Sequence, residues 1–264
     1  MTQAAFHWSG SDYAAQSSAQ QSWAEQLLQK LALVGDEFVL DLGCGDGKIS
    51  ASIAASLHRG KVLAIDASKD MIAFAQQKYA AISNLVFKHE NAMTFLCEEK
   101  VDVVFSNAVL HWLNDHRRVL QNCHQSLRQG GKVLLQMGGK GNAKTLISVV
   151  TEATSKPEWQ DYFSDFEFPY HFYAVEDYQS WLNETGFQAT RIELIDKDMQ
   201  HQGKEGLKGW FRTTWMPYTF QLPVQLRESF INDVVENYLE RFPIDECGYT
   251  HVAMKRLEVE AIKN

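Results

Sequence analysis

Apolar runs too short for helices and too unbroken for a sheet with one wet face mark the first half of this sequence. FVLDLG (38–43), KVLAID (61–66), LVFKH (85–89), VDVVFS (101–106) and GKVLLQM (131–137) each read as a strand. Helical stretches lie at 18–33, 46–57, 69–80 and about 115–128. In the first of these, Trp23, Leu27, Leu28 and Leu31 recur on one side, and Ser17 or Ser18 can cap its start. Strands without polar alternation need cover on both faces, and helices between parallel strands supply it. The expected fold class is a doubly wound α/β sheet.

Beyond Gly141 the pattern loosens, and all five prolines (157, 169, 217, 223 and 243) fall there. Helices are expected at 144–155, 174–185 and 203–242, the last broken near Pro217–Pro223, with strands at 187–195 and 251–263. Gly203, Gly206 and Gly209 weaken the start of the third helix. No internal repeat or long linker divides the 264 residues. One domain spanning 1–264 is therefore expected, its sheet capped by helices from about 1–33, 140–175 and 198–245.

The strongest local signal is Asp41-Leu42-Gly43-Cys44-Gly45-Asp46-Gly47, directly after a strand and opening a helix. Glycines let the backbone turn sharply and approach a ligand closely, and a helix N-terminus offers N–H groups to it. Asp66, nineteen residues beyond Gly47 at the end of the second strand, can accept both hydroxyl hydrogens of a ribose. A dinucleotide fingerprint would place its third glycine at position 48, where this chain has Lys48. Cys44 lies at a helix start that favours a thiolate, but a packing role is preferred.

The GxGxG spacing after an acidic residue resembles the first motif of class I S-adenosylmethionine (SAM)-dependent methyltransferases. AIDASKDM (64–71) resembles their ribose motif, Glu90-Asn91-Ala92-Met93 their adenine motif, with Asn91 for the usual Asp, and DVVFSN (102–107) their fourth-strand motif. The resemblance implies a Rossmann-like, mostly parallel sheet of seven strands in the order 3-2-1-4-5-7-6, with SAM as cofactor. It places Asp41, Gly43, Gly45 and Gly47 beside the methionyl part and Asp66 and Ala67 at the ribose. Met71, Asn91, Ala92 and Met93 fall at the adenine, and Asn107 borders the methyl-transfer site. SNAVLHWLNDH (106–116), with Tyr13 and Gln20 upstream, resembles a subgroup that includes trans-aconitate, malonyl-carrier-protein and juvenile hormone acid methyltransferases. Their shared reaction is O-methylation of a carboxylate. By that resemblance Tyr13 and Gln20 sit on a helix covering the cofactor, and Gln20 and Trp112 hold the acceptor carboxyl group or the methionyl end.

A carboxylate acceptor, with a reference pKa near 4, is already ionised and needs no base. A phenol, amine or carbon acceptor would need one, and His111 is the first candidate. Lys204, Lys208 and Arg212 recur every four residues, and Arg212 is the expected acceptor clamp because its planar fork binds carboxylates bidentately. Tyr162, Phe163, Phe166, Phe168, Tyr170, Phe172 and Tyr173 suit either a lid over the acceptor or the small core of an added helical layer.

Lys plus Arg total 25 against 33 Asp plus Glu, a net charge of −8 that disfavours nucleic acid and anionic membranes while leaving room for a small anionic acceptor. No membrane span, signal peptide or zinc-spaced Cys/His set is read, so a cytoplasmic enzyme without a metal is expected. Three readings compete with carboxylate O-methylation: N-, C- or phenolic O-methylation of another small metabolite, a SAM-binding module without catalysis, and an NAD-dependent dehydrogenase.

Overall fold

A computed structural model of the chain describes residues 18–264, with side chains from Trp23 onward. In chain order come α1 (Ser18–Leu31), β1 (Phe38–Leu42), α2 (Lys48–Ser56), β2 (Lys61–Asp66), α3 (Lys69–Lys78) and β3 (Leu85–His89). β4 (Val101–Asn107) leads to a 3₁₀ turn at Leu110–Trp112, then α4 (His116–Ser126) and β5 (Leu127–Gly138). After these follow α5 (Lys144–Thr154), α6 (Val175–Glu184), β6 (Phe187–Gln202), α7 (Gly203–Thr214), α8 (Met216–Thr219), α9 (Val224–Arg241) and β7 (Tyr249–Lys263).

The seven strands form one sheet in the order β3-β2-β1-β4-β5-β7-β6, the order expected from the sequence. β1 to β5 pair in parallel, and β7 joins β5 antiparallel. β1 is buried from its second residue onward, as a doubly covered strand must be. Successive residues serve opposite layers. Val39 and Val62 join Leu27, Leu31, Ile53 and Ile72 on one side, and Leu40 and Leu63 join Val119, Leu120, Tyr178 and Leu182 on the other. The chain steps outward from β1 to β2 and β3 and then returns to β4 on β1's other flank. The loops after β1 and β4 therefore diverge, which opens a crevice at the carboxyl ends of these strands.

By compactness the chain divides into two units. Among the described residues, the first comprises 18–140, 170–195 and 256–264 and holds most of the sheet; the second comprises 141–169 and 196–255. Of the segments expected to form a cap, 141–169 and 198–245 belong to the second unit, whereas the described part of 1–33 (residues 18–33), residue 140 and residues 170–175 belong to the first. The second unit has its own aromatic core: Trp210, Phe211, Phe230 and Tyr238 are buried, and Phe163 and Phe166 pack on Phe230 and Tyr218 respectively. The proline-rich aromatic stretch thus serves two places, since Tyr170, Phe172 and Tyr173 lie in the first unit.

One local expectation holds against weak propensity and another changes. α7 runs from Gly203 despite its three glycines, because Leu207, Trp210 and Phe211 are buried along it and tertiary burial outweighs propensity. β6 continues seven residues past Ile195, where Met199 and His201 are buried and Asp198 and Gln200 exposed, a strand period in polar sequence. Among the described residues, no helix is long and apolar enough to cross a membrane.

Candidate functional site

The turn after β1 is built from glycines that no other residue would replace without strain. Gly43, Gly45 and Gly47 have φ of 76°, 54° and 80°, all in the left-handed region. A Cβ on Gly43 would stand 2.2 Å from a Val109 methyl, and one on Gly47 2.7 Å from the Phe87 ring. A Cβ on Gly45 would meet nothing within 4 Å. Gly43 and Gly47 are thus close-packing positions, and Gly45 is the one whose Cα borders open space.

Two carboxyl groups sit under this turn. Asp41 is 2% exposed and accepts the Ser50 hydroxyl at 2.6 Å. Burial pushes its pKa up to about 7 against the lowering effect of Ser50, and the Asp66 charge raises it further. Asp66 closes the turn from β2: one oxygen accepts the Gly45 N–H at 2.9 Å, and the other accepts the Ser68 N–H at 2.8 Å. Burial raises its pKa and these two N–H groups partly offset that. Each oxygen retains acceptor capacity for a ribose hydroxyl. Burial, followed by the charges of Asp41 and Asp66, drives the Cys44 thiol far above its usual range. The helix start does not yield a thiolate there, and Cys44 packs in the hydrophobic layer.

The adenine candidates are held locally. Met71 is 4% exposed at the start of α3, its N–H donated to the Ser68 hydroxyl at 3.3 Å. The Ala67 carbonyl engages His89 Nε2 at 3.0 Å. Asn91 is exposed, and its side-chain oxygen accepts the Met93 N–H at 2.9 Å. The Ala92 carbonyl accepts from buried Asn122 at 3.1 Å, which pins this loop to α4. With its oxygen engaged locally, Asn91 presents its NH₂ as the ready donor to a base edge.

At the end of β4 the Asn107 side-chain oxygen is buried without a hydrogen-bond partner. The next residue, Ala108, has φ of 61°, a strained value for a residue with a Cβ. His111 follows, 9% exposed, and its Nδ1 accepts the Gly138 N–H at 3.3 Å. This bond places the imidazole proton on Nε2. Burial, then the charges of Arg256 and His116, hold its pKa well below the usual histidine range. His111 is therefore a neutral donor. Trp112, Tyr170 and Phe172 surround it with ring centroids near 6 Å, and Tyr170 meets Trp112 edge-on at 4.7 Å. Tyr170 and Phe172 were legible only as aromatics; their position beside His111 comes from a backbone bond, His171 N–H to the His111 carbonyl at 2.8 Å.

Tyr13 lies outside the described residues. Gln20 is on α1, one turn before Trp23, with its side chain not described. Arg212 lies in the second unit, where its fork holds Glu228 bidentately at 2.5 and 2.7 Å. Lys204 and Lys208 pair with Glu236 and Glu205. The guanidinium assigned to an acceptor carboxylate already holds one from its own chain. Arg212→Ala is accordingly expected to leave the acceptor KM within about twofold and to cost less than about 1 kcal/mol of stability, as for exposed pairs. Steady-state kinetics and thermal melting check this, and a severalfold rise in KM would return Arg212 to acceptor binding.

Residues 40–135 match a family described as methyltransferase domain. The trans-aconitate 2-methyltransferase of Shigella flexneri is 26% identical over 257 residues, 96% of this chain and 97% of that protein. Its counterpart in Methylobacterium radiotolerans is 35% identical over 114 residues, 43% of each chain. Among solved structures, a mycolic acid cyclopropane synthase complexed with the demethylated product S-adenosylhomocysteine superposes with a TM-score of 0.61 at 17% identity, covering 94% of this chain and 85% of that one.

Proposed function

The chain is a class I SAM-dependent methyltransferase, and from that premise we propose that it methylates a carboxylate oxygen of a small organic acid. The described residues fit the cofactor: Gly45 borders open space where a larger residue would intrude, and Asn107 has a buried oxygen awaiting a donor. Asp41, Gly43, Gly45 and Gly47 would hold the methionyl part, Asp66 and Ala67 the ribose, and Met71, Asn91, Ala92 and Met93 the adenine. When bound, SAM supplies an electrophilic methyl on a sulfonium, which an acceptor lone pair takes as the C–S bond breaks and its electrons stay on sulfur.

The observation that carries the carboxylate reading is the state of His111. With Nδ1 accepting from Gly138 and the ring held neutral, its proton is on Nε2, so it can orient an acceptor oxygen but cannot remove a proton. An acceptor already ionised suits such a site. Trp112, Tyr170 and Phe172 would exclude water and narrow the acceptor's approach, which leaves proximity and desolvation as the main contributions. The names of relatives spanning nearly the whole chain support the same class, trans-aconitate being an acid.

Two measurements test the reading. Incubation with labelled SAM and a panel of carboxylic acids is expected to give methyl esters. His111→Asn, which keeps an acceptor for Gly138 and an N–H donor, is expected to lower kcat less than about tenfold, with kcat flat between about pH 6 and 9. Removal of a general base would instead cost about 10²–10⁴-fold. A loss of that size would favour phenolic, amine or carbon methylation, and intact SAM binding without any methylated product would favour a sensing module.

A further inference from the structure

Both ring nitrogens of His251, near the start of β7, face a carboxylate. Nδ1 lies 2.7 Å from Asp198 on β6, and Nε2 lies 3.0 Å from Asp245 in the connection between α9 and β7. An ionised carboxylate only accepts, so both contacts are hydrogen bonds only when the ring carries two protons. A neutral imidazole has one N–H, and its other nitrogen would turn a lone pair on a carboxylate oxygen. From α9, the Tyr238 hydroxyl reaches the His251 backbone carbonyl at 2.7 Å, and burial holds its own pKa above the ordinary tyrosine value. The two carboxylate hydrogen bonds, that of Asp198 first, raise the His251 pKa above the ordinary histidine value. The second unit's other histidine, His201, is pushed down to about 4 by burial, so His251 is the one that changes charge near neutrality.

Residues 241–247 are all exposed, so polar contacts rather than apolar burial fix the course of this connection. Asp245 Oδ1 accepts the N–H groups of Cys247 and Tyr249 at 2.9 and 2.7 Å, which ties the segment to itself. The Gly203 N–H, just past the end of β6, meets the Gly248 carbonyl at 2.8 Å, and the His251 ring carries the bridge from Asp245 to Asp198. We propose that His251 is a proton-operated clasp: doubly protonated, it closes the α9–β7 connection onto β6, and on losing one proton it lets that connection loosen. Because the bridge needs both contacts, loss of either one opens it. The sign follows from the direction of the shift. A raised folded-state pKa means that the stabilisation is fully present below about pH 6.5 and is lost as pH rises through the folded-state value. Both carboxylates and the ring are open to solvent, so the effect is local and modest.

Two measurements on the full chain test the clasp. In an NMR titration the His251 ring nitrogens are expected to show a midpoint above 6.5, and Asp198→Asn should lower it. Backbone amide exchange, referred to the intrinsic rate at each pH, reads the connection itself. Protection of the Gly203, Cys247 and Tyr249 amides should fall about two- to fivefold between about pH 6 and 9, the scale of exposed ion pairs. His251→Gln, which cannot take up a proton, should hold the lower protection at every pH, with the buried β7 residues Leu257 and Val259 unchanged. A wild-type midpoint at or below 6.5 overturns the proposal. So does protection that is flat with pH in wild type, or that falls equally in His251→Gln. If the variant fails to fold, the wild-type midpoint and its shift in Asp198→Asn decide.

Discussion

Gly45→Ala is expected to weaken SAM binding by at least about a hundredfold, ~3 kcal/mol, while leaving the fold nearly intact. A Cβ at this position meets nothing within 4 Å, so the cost to the ligand-free protein is the left-handed backbone alone, about 1 kcal/mol. The same methyl would occupy the space the cofactor needs. Gly43→Ala should behave differently. Its Cβ would stand 2.2 Å from Val109, so clash adds about 1–3 kcal/mol to the backbone cost and stability falls together with binding. Gly130, with φ of 73° and equally open surroundings, is the control: alanine there carries the same backbone cost in the first residues of β5, outside the glycine turn. Calorimetric titration with SAM and thermal melting separate the three. If Gly45→Ala binds SAM as wild type does, the open space beside this turn is not the cofactor site.

Asp41→Asn should stabilise the ligand-free protein above neutral pH and yet impair the enzyme. Burial raises the folded-state pKa to about 7 from an ordinary value near 3.9 in the unfolded chain. A raised pKa means that this group's contribution to stability is fully present below about pH 4 and is lost as pH rises through 7. Asparagine removes the buried charge and can still accept from Ser50. The variant's stability advantage should therefore be near zero at pH 4, grow through neutrality and level off above pH 8. At 1.36 kcal/mol per unit its ceiling is on the order of 4 kcal/mol. The cationic cofactor favours the ionised carboxylate, so wild-type SAM affinity should climb with pH across 7, and the variant should bind more weakly with a flat profile. Denaturation across pH with and without SAM checks both signs. A variant that binds SAM as tightly as wild type would remove Asp41 from the cofactor site.

The first unit was largely legible because its determinants are local. FVLDLG and KVLAID announce buried strands without reference to anything distant, and the glycine turn declares its backbone geometry in three residues. Reading failed where the partner is remote. The spacing of Lys204, Lys208 and Arg212 gives one helix face, but nothing in it reveals that Glu228 on α9 closes the Arg212 fork. The sequence pattern ends β6 at Ile195 because residues 196–202 are mostly polar, and only burial of Met199 and His201 shows that the strand period continues. Arg256 did carry a signal. It falls in phase with Met254 and Glu258 along the closing strand, a cation at an inward position, yet its nearness to His111 depends on pairing with Gly138 more than a hundred residues away.

The most direct test of the account is the chemical fate of the transferred methyl. The enzyme is supplied with methyl-labelled SAM and trans-aconitate, and the isolated product is then treated with mild alkali. An ester releases its label as methanol, whereas a methyl on nitrogen, carbon or a phenolic oxygen stays with the product. The account predicts near-complete release of label from the wild-type product. Methylated product that retains its label under alkali would contradict it.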